Sequence, residues 1–138
     1  MPVRNQISAD GTYVRTTASG NLTAEDIIAS IRALAVDERV KPGFRQLFDV
    51  RAMAESRLSP EAMRRISEAN AANPKKTPDS LLAIVAGTGK DYAEGRTYEA
   101  VATPTVENVI VFNNPETAEI WLGVTGMNLL PPDVDETE

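Results

Sequence analysis

The sequence contains neither cysteine nor histidine, and these two absences exclude much of enzyme chemistry. Without cysteine the chain forms no disulfide, presents no thiolate nucleophile and offers no thiolate ligand to a metal. Without histidine it lacks the usual general base at neutral pH and the commonest ligand of transition metals. No pair of acidic residues stands at a spacing that indicates acid–base catalysis. We therefore expect a protein that is not an enzyme, with no catalytic residues, no metal site and no cofactor.

Aromatic residues are also scarce, at 5 % of the 138 residues, and acidic residues outnumber basic ones by 20 to 14. The resulting net charge of −6 opposes the phosphate backbone, so we expect no nucleic-acid partner. No segment approaches the run of about 20 apolar residues that spans a bilayer, and the first residues contain no signal-peptide core. We therefore expect a cytoplasmic protein that does not insert into a membrane.

The remaining composition, with 42 % hydrophobic and 25 % charged residues, is that of one folded domain. Apolar spacing and turn signals predict the order β-β-α-β-α-β-α-β-α. This order is that of an α/β domain with five strands and four helices. We expect the domain to cover residues 1–125, followed by an acidic, mobile C-terminal tail over residues 126–138.

Two unbroken apolar runs lie in the second half of the chain, at residues 81–86 and at Val109–Phe112. A strand without polar alternation is typical of the centre of a parallel sheet, where both faces are covered. We therefore expect both runs to be central strands. The side chains predicted to be buried in them are Ile84, Val85, Ile110 and Val111.

Polar residues follow three of the predicted strands and form a candidate ligand-binding site. In open α/β sheets, ligands bind beyond the carboxyl ends of the strands, which brings such residues to one edge. The alternative is structural, with Asp49 and Arg51 forming an ion pair or satisfying loop backbone groups. Residues 87–90 (GTGK) lack the spacing and the hydroxyl of a nucleotide-binding P-loop. The candidate ligand-binding residues are Asp49, Arg51, Thr88, Lys90, Asn113 and Asn114.

Several segments together resemble the SpoIIAA-like group of the STAS superfamily, which comprises sulfate transporters and anti-sigma-factor antagonists. The resemblance covers the chain before the tail. It implies a SpoIIAA-like fold of bacterial type, in which four helices pack against a mixed sheet of about five strands, and a role in protein–protein regulation. The segments that carry it are GNLT at 20–23, LFDVR at 47–51, AIVA at 83–86, YAEGRTYE at 92–99, VIVFNN at 109–114 and TAEIWL at 117–122.

The sequence departs from that group at the serine that anti-sigma-factor antagonists phosphorylate, which lies in an Asp-Ser-Ser-Gly-like run. Residues 55–61 read ESRLSPE instead, so Ser59 is the candidate phosphosite. Its neighbours indicate a helix N-cap followed by Pro60 at the first helical position, and the resemblance does not carry over a phosphorylation switch.

The large side chains of the third predicted helix, Tyr92, Arg96 and Tyr98, are candidate interface residues, because tyrosine and arginine are enriched in binding hot spots. At helical spacing the tyrosines also fit a core position, and Trp121 of the last helix fits the core better than an interface. Arg96 also fits a solvated ion pair.

We therefore predict a non-catalytic regulatory or adaptor module that binds a protein partner, with a homodimer as one form of it. The alternative is a carrier or sensor of a small molecule, either a polar anion or a lipid-like compound, bound in a cleft between helices and sheet. A deep apolar pocket lined by the first and third helices favours the carrier. A filled core with an exposed apolar patch favours the adaptor.

Overall fold

The structure is a computed structural model that describes residues 3–53, 58–87, 90–102 and 108–130. In these ranges the chain alternates between strands and helices in the order predicted from the sequence. The elements are β1 (Val3–Ile7), β2 (Tyr13–Gly20), α1 (Ala24–Val36), β3 (Arg45–Met53), α2 (Pro60–Ala71), β4 (Leu81–Val85), α3 (Lys90–Ala102), β5 (Val109–Phe112) and α4 (Pro115–Leu122).

The five strands form one mixed sheet in the order β1-β2-β3-β4-β5. β1 pairs with β2 in antiparallel fashion, and each of the other neighbouring pairs is parallel. Parallel neighbours need a crossover connection, and α1, α2 and α3 supply the three crossovers. β4 lies between β3 and β5, as predicted, and its Ile84 and Val85 are buried.

Helices cover both faces of this sheet. α1, α2 and α3 pack on the first face, where Leu82 and Ile84 of β4 belong to the larger hydrophobic cluster. Ala83 and Val85 point to the second face, because successive strand residues alternate, and there they pack with Leu122 of α4 in a second cluster. The sheet is therefore the middle layer of three. No helix in the described ranges combines the length and the apolar character needed to cross a bilayer.

The first two helices begin with the side-chain caps that the sequence indicates, which are Thr23 followed three residues later by Asp26, and Ser59 followed by Pro60. Thr23 Oγ1 accepts a hydrogen bond from the Asp26 amide at 3.2 Å, and Asp26 Oδ2 accepts one from the Thr23 amide at 3.1 Å. Ser59 Oγ accepts from the Ala62 amide at 3.1 Å. Each bond satisfies backbone donors that have no partner inside the helix, and so the chain enters α1 and α2 at defined residues.

The prediction that Val109–Phe112 is a central strand is wrong, because β5 lies at the edge of the sheet. Ile110 is accordingly 39 % exposed, although Val111 is buried as predicted. The apolar run arises because α3 covers the first face of β5 and Trp121 packs on Phe112 on the second, with ring centroids 5.7 Å apart. On the open edge, the Val111 amide donates to a carboxyl oxygen of Glu99 at 3.1 Å, which blocks one pairing site.

The opposite edge of the sheet is partly covered by residues that follow α4. Leu129 forms an isolated antiparallel bridge with Ser8, and the Leu130 amide donates to the Ile7 carbonyl at 3.0 Å. These contacts satisfy backbone groups of β1 that an edge strand would otherwise expose. Contacts with the sheet therefore include Leu129 and Leu130, which lie within the segment predicted to be the tail.

Candidate ligand-binding cleft

A cleft of about 90 Å³ lies on the first face of the sheet, between the sheet and helices α1, α2 and α3. Its wall is mainly apolar and includes a small number of polar side chains, which is the usual composition of a small-molecule site. The lining residues are Leu22, Ile27, Ser30, Ile31, Gln46, Phe48, Val50, Met53, Leu58, Met63, Ile66, Asn70, Leu82, Ile84, Glu94, Gly95 and Tyr98.

Helical spacing brings the residues of the first two helices to the cleft. Ile27 and Ile31 are four residues apart on α1, so they lie on one face of that helix, one turn above the other. On α2, Met63, Ile66 and Asn70 follow at spacings of three and four and share its inward face. The inward face of α2 therefore contributes one polar side chain, that of Asn70, to the wall of the cleft beside its apolar ones.

The third helix approaches the sheet closely at Gly95. A Cβ atom at this position would lie only 3.0 Å from a methyl carbon of Val111, so any larger residue would have to displace that side chain or the helix. Glu94 and Tyr98 are four residues apart on either side of this contact, and both line the cleft. The glycine thus sets the distance between α3 and β5 in the wall of the cleft.

One hydrogen bond joins α2 and α3 across the cleft. The side-chain amide of Asn70 donates to the Tyr98 hydroxyl oxygen at 3.0 Å, and both residues are buried. A buried bond between two helices orients both side chains, because either group left without a partner would lose more free energy than the bond contributes.

A chain of polar side chains runs beneath the cleft on the first face of the sheet. Gln46 Nε2 donates to Thr16 Oγ1 at 2.8 Å, and Thr16 Oγ1 donates to Asn5 Oδ1 at 2.7 Å. Asn5 Nδ2 in turn donates to Ser30 Oγ on α1 at 3.3 Å. The lining residues Gln46 and Ser30 are therefore held by protein partners at the two ends of this chain.

Glu94 differs from the other polar residues of the cleft. Its Oε1 atom is buried and has no hydrogen-bond partner. Among the described residues, Nδ2 of Asn73 is the other buried side-chain atom without a hydrogen-bond partner, and Asn73 does not line the cleft. Native proteins leave few buried polar atoms without a partner, so the cleft contains an acceptor that the described protein groups do not satisfy.

The predicted ligand-binding residues Asp49 and Arg51 lie outside the cleft, on the second face of β3. Both oxygens of Asp49 accept from the Arg51 guanidinium, at 3.0 and 2.7 Å. Burial raises the pKa of Asp49, but hydrogen bonds from Arg51 outweigh it and leave the pKa below its usual value. The hydrogen bond with Asp49 also raises the pKa of Arg51. The two residues thus form the ion pair that we considered as the alternative, and ligand binding by either of them stays a prediction.

Asn113 and Asn114 follow β5 at the carboxyl edge of the sheet, as the sequence indicates. Asn114 is the N-cap of α4, since its Oδ1 accepts from the Thr117 amide at 2.8 Å, and its Nδ2 donates to Asn113 Oδ1 at 2.9 Å. Thr88 and the side chain of Lys90 lie outside the described part of the chain. A ligand site at this edge therefore stays a prediction.

The three candidate interface residues of α3 have different surroundings. Tyr98 is only 7 % exposed and forms part of the cleft wall. Tyr92 is partly buried against the larger hydrophobic cluster. Arg96 is exposed and lies 3.4 Å from a Glu99 carboxyl oxygen, as expected for a solvated ion pair. They do not form one exposed surface.

Sequence reasoning missed the polar residues of the cleft. Glu94 follows Asp91 by three residues, a spacing typical of a capping box, and the side chain of Asp91 lies outside the described residues. The available signal was the position of Ser30 and Asn70 within stripes that are otherwise apolar and face inward. A polar residue in such a stripe needs a buried partner, and this requirement indicates a polar network or a binding site.

With the sheet order and the helix layers established, the chain has a SpoIIAA-like fold, as the resemblance implied. A solved structure with this fold, an uncharacterized protein of the DUF3478 family from Shewanella loihica PV-4, superimposes with a TM-score of 0.56. The match covers 87 % of this chain and 91 % of that protein, at 18 % sequence identity. No protein-family model matches the sequence. No curated protein matches it either.

Proposed function

We propose that the protein is a non-catalytic carrier or sensor that binds a small, mainly apolar molecule in the cleft. The observation that carries this proposal is the cleft itself, which α1 and α3 line together with α2 and the sheet. Protein interiors are normally packed to the density of organic crystals, and helix–sheet interfaces of this size seldom keep such a space. An apolar wall with a few oriented polar groups is the usual form of a small-molecule site.

The volume of the cleft limits the part of the ligand that it encloses. A buried apolar cavity of about 150 Å³ holds a benzene molecule, whereas about 10–15 Å³ is enough for one water molecule. At about 90 Å³ the cleft encloses a group slightly smaller than a benzene ring. The ligand is therefore a small molecule, or one end of a longer molecule that extends past the helices.

The polar groups of the cleft support binding rather than catalysis. Asn70 and Tyr98 are bonded to each other, and Gln46 and Ser30 belong to the chain beneath the cleft. The sequence offers neither histidine nor cysteine as a base or nucleophile. Groups that are already held in place can orient a ligand. Glu94 is the one acidic side chain among the described lining residues, without a second acid or a histidine in that wall to form a catalytic pair.

Methyl NMR spectroscopy with toluene as the probe tests this proposal, because isoleucines occur both inside and outside the cleft. We expect toluene to shift the δ1-methyl signals of the isoleucines that line the cleft and to leave the others nearly unchanged. Ile27, Ile31, Ile66 and Ile84 line the cleft, whereas Ile7, Ile110 and Ile120 lie elsewhere.

Two variants of α1 make the test specific. Ile31→Phe adds bulk inside the cleft, and Ala33→Phe adds an aromatic ring on the exposed face of the same helix. We expect Ile31→Phe to abolish the toluene shifts and Ala33→Phe to preserve them. Equal toluene responses in both variants, or shifts confined to the exposed isoleucines, would show that toluene does not bind in the cleft and would refute the proposal.

A protein-binding adaptor is the second candidate, and exposed apolar residues on the α4 side of the sheet favour it. Ile110 of β5 is 39 % exposed and Ile120 of α4 is 70 % exposed. Sedimentation velocity of the wild-type chain and of Ile120→Asp tests whether this side joins two copies. A wild-type dimer that the substitution converts to a monomer supports the adaptor, and a wild-type monomer at all concentrations contradicts this homodimer.

A further inference from the structure

The Oε1 atom of Glu94 indicates what kind of molecule the cleft binds. This atom is buried without a hydrogen-bond partner, and Glu94 lies in the wall of the cleft, one turn before Tyr98 on α3. A carboxyl oxygen can accept two hydrogen bonds, and its removal from water is unfavourable unless another donor replaces the water. A ligand group that reaches this atom from the cleft would therefore have to donate a hydrogen bond to it.

The described residues around the cleft do not provide that donor. The described lining residues include neither lysine nor arginine. The amide of Asn70 is bonded to Tyr98, and the amide of Gln46 is bonded to Thr16. A ligand that enters the cleft can supply the missing hydrogen-bond donor.

We propose that the cleft selects an apolar molecule with an amine or hydroxyl group, which donates a hydrogen bond to Oε1 of Glu94. This inference rests on the proposed carrier function and adds the chemical class of the ligand. A molecule with a carboxylate or phosphate head group is disfavoured, because its negative oxygens would face the Glu94 carboxyl group and none of the described lining residues is a cation. The apolar body of the ligand lies against the isoleucine and methionine side chains of α1 and α2.

Four ligands with the same ring but different head groups test the selection. Toluene has no polar group, benzyl alcohol has a neutral donor, benzylamine is a cation at neutral pH, and benzoate is an anion. Their affinities are measured by the isoleucine methyl shifts of the wild-type chain. We expect benzylammonium to bind at least about tenfold more tightly than benzoate, because a hydrogen bond to a charged partner is worth at least this factor.

Substitutions of Glu94 assign the preference to its carboxyl group. Glu94→Gln keeps an acceptor oxygen and removes the negative charge. We expect it to weaken benzylammonium binding at least about tenfold and benzyl alcohol binding less than about threefold. Glu94→Leu removes the acceptor and weakens both. Glu68→Gln is the matched control, since Glu68 is an exposed residue of the neighbouring helix α2 and does not line the cleft. We expect this control to leave all four affinities unchanged.

The outcomes separate this inference from the proposal on which it rests. If toluene binds in the cleft but benzoate binds as tightly as benzylammonium, the carrier function stands and the selection by Glu94 is wrong. The selection is also wrong if Glu94→Gln and Glu68→Gln have the same effect on benzylammonium. If none of the four ligands shifts the cleft isoleucines, the carrier function fails and the selection fails with it.

Discussion

Removal of the Tyr98 hydroxyl group measures how much the polar wall of the cleft contributes to stability. The substitution Tyr98→Phe deletes one oxygen atom and leaves the ring, which packs in the larger hydrophobic cluster, in place. The deleted oxygen accepts the hydrogen bond from the Asn70 amide at 3.0 Å. Because Asn70 is 5 % exposed and Tyr98 is 7 % exposed, bulk water cannot readily replace the lost acceptor.

The expected loss of stability depends on the Asn70 amide, which stays buried but loses its hydrogen-bond acceptor in Tyr98→Phe. A typical hydrogen bond contributes about 0.5–1.5 kcal/mol, and a buried donor without an acceptor costs about 1–3 kcal/mol. We therefore expect Tyr98→Phe to lower the free energy of unfolding by about 1–3 kcal/mol. Asn70→Leu removes the donor, and the double variant removes the pair. The double variant should lose less than the sum of the two single losses, with a coupling energy of about 0.5–3 kcal/mol.

Urea unfolding followed by circular dichroism measures these free energies, with the slope against urea as a check that the unfolding reaction is the same in each variant. Tyr92→Phe is the control, since it removes the same atom from a partly buried ring of the same helix, and we expect a change within about 0.5 kcal/mol. Additive losses from Tyr98→Phe and Asn70→Leu would contradict a contribution from the buried hydrogen bond, as would a loss from Tyr98→Phe no larger than that from Tyr92→Phe.

Three further substitutions test local features of the fold by the same method. Gly11 has a φ of 75°, and a Cβ atom there would lie 2.0 Å from a backbone carbonyl oxygen, so Gly11→Ala should cost more than about 1 kcal/mol. Gly20 has a φ of 67°, but a Cβ atom there would meet open space, so Gly20→Ala should destabilise the protein less than Gly11→Ala. Equal losses of stability in the two variants would exclude the clash at Gly11. Ser59→Ala should cost about 1 kcal/mol through the lost cap, and stoichiometric phosphorylation of Ser59 in cells would contradict a purely structural role. Asp49→Asn tests the pH dependence: the pKa of Asp49 is lowered by its bonds to Arg51 despite burial, so its stabilisation is present above the ordinary aspartate pKa and is lost as the pH falls through the folded value. The stability difference between wild type and Asp49→Asn should therefore shrink below about pH 4, and a difference independent of pH would exclude the ion pair as its source.

The sequence by itself determined the order of the elements and the residues at which the first two helices begin. The hydroxyls of Thr23 and Ser59 cap those helices as predicted, because capping involves residues only three positions apart. Apolar spacing likewise predicted the inward faces of α1 and α2, since a helix repeats every 3.6 residues whatever surrounds it. Helix caps and apolar periodicity involve residues that are close together in the sequence, so they do not depend on where each element lies in the folded molecule.

The position of β5 in the sheet was decided by the tertiary structure. Its apolar run is the same pattern that a central strand shows, because α3 covers one face and Trp121 lies on the other. The feature that distinguishes an edge strand is the absence of a neighbour on one side, and the residues of the strand do not encode that absence. Here the carboxyl group of Glu99 binds the Val111 amide on the open side.

The cleft too could be recognised only in the tertiary structure. Asn70 and Tyr98 are 28 residues apart and belong to different helices, so their contact depends on how α2 and α3 pack on the sheet. The Oε1 atom of Glu94 likewise has no hydrogen-bond partner in the described residues, which no pattern along α3 indicates. A capping or apolar pattern reports the neighbours of a residue along the chain. The space between three helices and a sheet is a property of non-local packing, and no pattern within one element contains it.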